Sequence, residues 1–193
     1  MYYVGDAQLV YDTITSTTYP PGTIYFKNGH SIQFDYNGIN QGFIMKIDTA
    51  GDIQWLKHMK KLDTNLYTMN QGGRSTFVGI DINEENDEIY VSGTGSAKTA
   101  STNDVYSIFP DGTIFETDSS NYNHDQSYII AFDKNSGNML WHNTPNAHGS
   151  RIGDIEYKND SLYTGLWWGD ALHTNDSTYT HDGRPSTVGF SHL

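Results

Sequence analysis

Cysteine is absent from the 193-residue sequence, which excludes disulfide bridges, thiolate metal sites and thiol nucleophiles. No apolar run approaches the ~18 residues of a membrane-spanning helix, and the first residues, Met1 to Asp6, do not have the pattern of a signal peptide. Basic residues are few, 11 against 23 acidic ones, and the formal charge is −12. Because nucleic-acid-binding proteins carry a basic face, we expect neither a nucleic-acid partner nor insertion into a membrane.

Short strand-like segments dominate the sequence. Runs rich in Val, Ile, Tyr, Phe and Thr are bounded by Gly, Asn, Asp and Ser, a pattern typical of antiparallel strands and their turns. No segment shows helical periodicity over a helical length. Residues 56–66 are interpreted as an exposed loop, with a helical turn as the alternative. The sequence therefore predicts a single all-β domain.

One block of residues occurs twice. In each copy an apolar run is followed by Asp, a glycine-containing turn and Trp, and these positions are Asp48, Gly51 and Trp55 in the first copy and Asp133, Gly137 and Trp141 in the second. Each turn is predicted to close a hairpin, because glycine readily adopts the positive φ that such turns require.

Other segments recur in the same order around this block. Short runs ending in Gly lie at 2–5, 90–93 and 162–165, and further strand-like segments lie at 77–82 and 152–157. Hairpin insertions with turns at Asn28-Gly29 and at 110–112 follow the first two runs. This order predicts repeat units at about 1–88 and 89–161, with an incomplete third unit at 162–193.

The segments 42–55, 77–81 and 89–93 together resemble the bacterial beta-propeller repeat family of secreted and surface proteins. The second block is similar to the tryptophan-docking pattern of pyrroloquinoline-quinone-type propellers, although Ser136 stands where that pattern usually has threonine. The resemblance implies tandem four-stranded antiparallel blades with hairpin insertions, in a partial propeller or a segment of a larger one. A closed propeller needs about four blades, so we expect a longer protein or an assembly of copies.

The resemblance also implies roles for the repeated block. Trp55 and Trp141 would dock on the neighbouring blade and bury up to ~150–250 Å² each. The turn residues Asp48, Gly51, Asp133 and Gly137 would shape the docking surface. Stacking is needed because one small sheet cannot bury both of its faces alone.

An aromatic cluster near the end of the chain is the candidate binding site. Its members are Tyr163, Trp167, Trp168 and Asp170. Exposed aromatic rings stack on sugars or on apolar partners and are frequent in binding hot spots. In the alternative interpretation at least one of the two tryptophans is a core residue, because neighbours on a strand point to opposite faces.

Signals for metal binding and catalysis are weaker. The eight histidines form no His-x-His or His-Glu-x-x-His pattern, so no metal centre is predicted. Oxygen-bearing residues alternate at 81–87 and 133–137, which fits weak surface calcium binding, but hairpin turns use the same residues and are favoured. Asp154 and Glu156 form a carboxylate pair of the kind used in glycoside chemistry.

The sequence thus predicts a non-enzymatic propeller segment of an exported or cell-surface protein, acting as a binding, adhesion or assembly scaffold. No catalytic residue and no cofactor are assigned. The expected partners are a glycan or protein surface and other blades or copies of the same chain. Two alternatives stay open: a propeller enzyme, either a quinone-dependent dehydrogenase or a glycan-acting hydrolase, and a structural subunit of a filament or virion.

Overall fold

A computed structural model of the chain describes residues 1–7, 22–34, 41–63, 75–96, 105–116, 125–144, 146–147, 150–167, 171–173, 178–180 and 186–191. These residues form β-strands and one turn of 3-10 helix at Lys27–Gly29, and they contain no α-helix. None of them belongs to a helix long and apolar enough to cross a lipid bilayer. The predicted all-β fold is therefore confirmed.

The strands have the following bounds. In chain order they are β1 (Tyr2–Ala7), β2 (Gly22–Tyr25), β3 (Ser31–Phe34), β4 (Gln41–Ile47), β5 (Ile53–His58), β6 (Lys60–Asp63), β7 (Ser75–Asn83), β8 (Glu88–Ser96), β9 (Val105–Ile108), β10 (Asp125–Asp133), β11 (Met139–Asn143), β12 (Asn146–Ala147), β13 (Arg151–Lys158), β14 (Ser161–Trp167), β15 (Ala171–His173), β16 (Thr178–Thr180) and β17 (Ser186–Ser191).

Three antiparallel sheets hold most of these strands. Sheet 1 has the order β1-β4-β5, sheet 2 the order β7-β8-β10-β11 and sheet 3 the order β13-β14-β17. The expected four strands are present in sheet 2, whereas sheets 1 and 3 have three described strands each. The sheets cut across the predicted repeat units, because β7 falls before residue 88 but pairs with β8 in sheet 2.

The remaining strands form smaller sheets of their own. The predicted hairpin insertion is confirmed for β2 and β3, whose turn has positive φ at Asn28 (64°) and Gly29 (80°). Strand β6 pairs with β9, and β12 pairs with β15 of the β15–β16 hairpin. The predicted exposed loop at 56–66 is wrong as far as residue 63, because β5 and β6 both have partner strands there.

Both faces of sheet 2 are covered. Along β10 the buried residues alternate between two apolar clusters: Tyr128, Ile130 and Phe132 belong to one, and Ile129 and Ala131 to the other. We call the first cluster, which sheet 2 shares with sheet 1, junction 1, and the second, which it shares with sheet 3, junction 2. A strand alternates its side chains between two faces, so the run from Tyr128 to Phe132 is apolar on both faces because a sheet covers each of them.

Sheets 1 and 2 repeat one arrangement. Tyr2, Lys46 and Trp55 lie opposite one another across sheet 1, as Tyr90, Ala131 and Trp141 do across sheet 2. The register shifts directly after Lys46 and directly after Ala131. Strands β1, β4 and β5 therefore correspond to β8, β10 and β11.

Sheet 3 also corresponds to sheet 2, but the match begins at the β7 edge of sheet 2. The β13–β14 hairpin has a register shift between Ile152 and Ile155, as β7–β8 has between Phe77 and Gly79. Strands β13, β14 and β17 therefore correspond to β7, β8 and β10. Among the described strands, sheet 1 has no counterpart of β7 and sheet 3 has none of β11.

Candidate functional site

Trp55 is the central side chain of junction 1. It lies on β5 and is 6% exposed. Its indole covers the turn between β10 and β11 of sheet 2, where an ideal Cβ on Gly137 would stand 2.6 Å from Cδ2 of Trp55. Gly137 also has a φ of +69°. Glycine is therefore required there twice, by the backbone conformation and by the close approach of the ring.

The contact of Trp55 with sheet 2 is one of packing. Within the described part of the chain its buried Nε1 has no hydrogen-bond partner. The Tyr2 ring lies 5.9 Å from the indole, inclined by 39°. Tyr2 also donates a hydrogen bond from its hydroxyl to the carbonyl of Lys134, at 3.3 Å, so Tyr2 and Trp55 of sheet 1 both reach the same turn.

The two repeated aspartates shape their turns. Oδ1 of Asp133 accepts hydrogen bonds from the hydroxyl of Ser136 (2.7 Å) and from the N–H groups of Ser136 (2.6 Å) and Asn135 (3.2 Å). These bonds, led by the Ser136 hydroxyl, hold the pKa of the Asp133 carboxyl below its usual range. Oδ1 of Asp48 likewise accepts from two turn N–H groups, each at 2.9 Å.

Junction 2 contains a row of three aromatic rings. Half-buried Trp141 lies 5.9 Å from the ring of Tyr90, inclined by 38°, which is nearly the geometry of the Tyr2–Trp55 pair. The ring of Tyr157 in sheet 3 lies 5.3 Å from that of Tyr90. Tyr90 is fully buried and donates to Glu88; burial first, and this hydrogen bond second, raise the pKa of Tyr90 to about 12.

Two buried serines, which the sequence analysis did not single out, join the sheets. The N–H of Gly42 donates to Oγ of Ser75 at 3.2 Å across junction 1, and the N–H of Ser127 donates to Oγ of Ser150 at 2.8 Å across junction 2. Each serine stands two residues before a recurrent strand-like segment. That shared position is the signal by which the sequence could have revealed them.

Strands β7 and β13 are also in direct contact. The N–H of Tyr157 donates to Oδ2 of Asp81 at 2.6 Å, and an ideal Cβ on Gly79 would stand 2.6 Å from Oδ1 of Asp154. Asp154 also accepts the N–H of Ile155 at 3.0 Å. One carboxylate of the pair considered for glycoside chemistry, Asp154, therefore contacts β7, and both Asp154 and Glu156 are exposed.

The candidate binding cluster is described only in part. Tyr163 lies on β14 and is 41% exposed, and its neighbour Leu162 is buried in junction 2. Because strand residues alternate, Tyr163 faces away from sheet 2. Trp167 ends β14, but its side chain, Trp168 and Asp170 lie outside the described residues, so the cluster stays a prediction.

The acidic segment considered for calcium makes other contacts. Asn83 Oδ1 accepts the N–H groups of Glu85 and Asn86, and Asp87 and Glu84 each pair with the ammonium of Lys134 at 2.6 Å. These contacts, led by the one with Asp87, raise the pKa of Lys134. In the part of the chain that the structure describes, no group of three or more His, Asp or Glu side chains is placed to hold a metal ion.

Comparisons of this chain with protein-family models, curated proteins and solved structures gave no significant match.

Proposed function

We propose that this chain is a segment of a β-propeller-type protein, exported or at the cell surface, that serves as a non-enzymatic binding or assembly scaffold. The observation that carries the proposal is the repetition of one junction. A Tyr–Trp pair, a buried serine hydroxyl and a close turn or strand contact join sheet 1 to sheet 2, and similar parts join sheet 2 to sheet 3. Stacked sheets with repeated junctions are the building principle of propellers.

The described polar side chains support a scaffold more than a reactive centre. Asp48 and Asp133 hold turns, Asp81 accepts a hydrogen bond from the next sheet, and Asp154 packs on Gly79. These carboxylates act on the main chain of the protein itself. The acidic composition and the resemblance to secreted repeat proteins support the proposed location.

The outward face of sheet 3 is the surface proposed for the ligand. Tyr163 follows buried Leu162 on β14 just as Tyr90 follows buried Ile89 on β8. Tyr90 is covered by sheet 3, whereas Tyr163 is exposed. An exposed tyrosine on a rigid strand offers a flat apolar ring and a hydroxyl at little cost in conformational entropy, which suits a sugar or a protein surface.

A glycan array tests this proposal with two variants of the proposed site and one control variant. Tyr163→Ala and Trp168→Ala should both lower the signal of the bound glycans, and Tyr25→Ala, which removes a tyrosine that is 79% exposed on β2, should leave it unchanged. Circular dichroism and thermal unfolding of each variant verify that the fold is retained. Equal signals from the wild type, Tyr163→Ala and Trp168→Ala would contradict the proposed site.

A further inference from the structure

Tyr163 and Glu156 form a pair on the outward face of sheet 3. They lie directly opposite each other on β14 and β13. Residues paired in this way project from the same face of an antiparallel sheet, with Cβ atoms about 4.5–5.5 Å apart. Tyr163 is 41% exposed, and Glu156 is exposed as well. Within the described part of the chain Glu156 forms no ion pair, so an available carboxylate stands beside an accessible aromatic ring.

The equivalent pair in sheet 2 has both of its members occupied. Asp81 lies opposite Tyr90 in the register that joins β7 to β8. The register of β13 and β14 makes these two residues the counterparts of Glu156 and Tyr163. Oδ2 of Asp81 accepts the N–H of Tyr157 at 2.6 Å, and the ring of Tyr90 lies 5.3 Å from the ring of Tyr157. In sheet 2 the carboxylate therefore binds an N–H donor while the tyrosine packs on a flat ring.

The surface around Tyr163 is bare on two sides. Gly189 lies opposite Tyr163 on β17, where the corresponding residue of sheet 2 is Ala131. Gly165 follows two residues later on the same face of β14, and a Cβ added to it would meet no atom within 4 Å. Neither glycine has a side chain that would stand beside the phenol ring. A flat group as wide as a sugar ring therefore has room to lie against Tyr163.

The charges around this pair favour a cationic ligand. The chain has a formal charge of −12, and Glu156 places one carboxylate at the ring itself. The nearest cationic residue along this face of β13 is Lys158, two residues or about 7 Å further on. A protonated amine beside Tyr163 would be attracted both by the carboxylate and by the electron-rich face of the ring. A ligand with its own carboxylate would instead be repelled by Glu156.

We propose that the Glu156–Tyr163 pair binds amino sugars with free amines, the sugar ring lying on Tyr163 and the ammonium on Glu156. Such a sugar has a ring and an N–H donor, the two features that Tyr157 presents to the counterpart pair in sheet 2. A lysine or arginine of a partner protein has the charge but no ring to lie above Gly189 and Gly165. The inference deepens the proposed function and rests on it, because it names the class of glycan that the same surface would bind.

Two oligosaccharides of equal length test this inference on the complete 193-residue chain. One is an oligomer of glucosamine with free amines, and the other is its fully N-acetylated form, which keeps the rings and lacks the charge. Isothermal titration calorimetry measures both affinities at one salt concentration and at a pH where the amines are protonated. The wild type should bind the free-amine form about tenfold more tightly, because only that form gains the contacts of a cation with the carboxylate and the ring.

Three variants assign this preference to the pair. Glu156→Gln should reduce the preference for free amines to less than about twofold. Tyr163→Ala should weaken the binding of both oligosaccharides, because it removes the ring on which both would lie. Glu85→Gln is the matched control, since it removes the same charge from an exposed glutamate in the β7–β8 turn and should retain the preference of the wild type. Circular dichroism verifies the fold of each variant.

Several outcomes would overturn the inference. Absence of saturable binding by the free-amine form, or equal affinity for the two forms, would show that the amine is not recognised. Equal loss of preference in Glu156→Gln and Glu85→Gln would assign it to the overall charge of the chain. An oligolysine peptide of equal charge that binds as tightly as the sugar would identify a basic protein partner instead. The glycan array with Tyr163→Ala reports on the ring contact alone, so a missing amine preference with an intact array contrast removes this inference and leaves the proposed function.

Discussion

Trp55 in junction 1 and Trp141 in junction 2 occupy equivalent positions, but they are buried to different degrees. Trp55 stands opposite Lys46 of β4 and Trp141 opposite Ala131 of β10, and each has a tyrosine ring 5.9 Å away. Trp55 is 6% exposed, whereas Trp141 is half-buried. The indole of Trp55 covers the turn after β10 in the next sheet, whereas the ring of Trp141 lies against Tyr90 of its own sheet.

This comparison separates two sources of stacking energy. Strand faces, such as those of Tyr90 and Tyr157, give each junction its apolar area. The glycine turn adds a flat surface that only a residue without a side chain can provide. Junction 1 has both contributions among the described residues, and junction 2 has the first.

The largest expected effect comes from removing the two tryptophans in turn. Trp55→Ala should lower the free energy of unfolding by ~3–5 kcal/mol, because it leaves a large cavity in a closed junction. Trp141→Ala should lower it by about half as much, since its ring is already partly solvated. Urea titrations followed by circular dichroism measure both values. Equal losses would show that the two indoles are buried alike in solution.

The sequence predicted the parts of these junctions that depend on local chemistry. Asp, Gly and Trp recur at matching positions, and both glycines have the positive φ expected of hairpin turns, +81° for Gly51 and +69° for Gly137. Contacts between distant segments could not be predicted in the same way. Strand β6 was missed because its Lys-rich sequence is polar and only its partner β9, far along the chain, makes it a strand. The unequal burial of Trp55 and Trp141 depends on the next sheet, which no local pattern describes.

Replacing the two turn glycines isolates the contribution of the indole contact. Gly51→Ala adds a methyl group in open space. It should lower the free energy of unfolding by about 1–2 kcal/mol, only because the backbone there is left-handed. Gly137→Ala meets the same backbone cost and also displaces Trp55, which should add roughly 1–3 kcal/mol. Both are measured as free energies of unfolding in urea.

A double variant verifies the cause of that difference. In a Trp55→Ala background the indole is gone, so Gly137→Ala and Gly51→Ala should cost the same within about 0.5 kcal/mol. A difference that persists without the indole would mean that Gly137 is required for a reason other than the contact with Trp55.

Substitution of the two buried serines should lower the free energy of unfolding by similar amounts, because each serine joins two sheets by the same kind of hydrogen bond. Ser75→Ala and Ser150→Ala each remove the acceptor of a main-chain N–H at the start of β4 or within β10, and each should cost ~1–2 kcal/mol. Exposed Ser136 in the β10–β11 turn is not a suitable control, because it bonds Asp133. Exposed Thr49→Ala, in the first turn, is expected to be nearly neutral. A large loss of stability in only one of the two serine variants would contradict the correspondence between the junctions.

The smallest expected effect is a dependence on pH at the edge of junction 1. His142 on β11 stacks on Phe109 with ring centroids 4.2 Å apart, and burial lowers the pKa of its imidazole below 6.5. The unfolded chain therefore binds a proton at this residue more readily than the folded chain does, and stability falls as the pH drops below about 6.5. His142→Phe keeps an aromatic ring on Phe109 and removes the titrating group. The difference in free energy of unfolding between this variant and the wild type should grow in favour of the variant from pH 7.5 to pH 5. A difference in free energy of unfolding that stays constant from pH 7.5 to pH 5 would show that the stacked imidazole binds a proton as readily in the folded chain as in the unfolded chain. The contact with Phe109 would then exclude water no better than the partly exposed surroundings of Trp141.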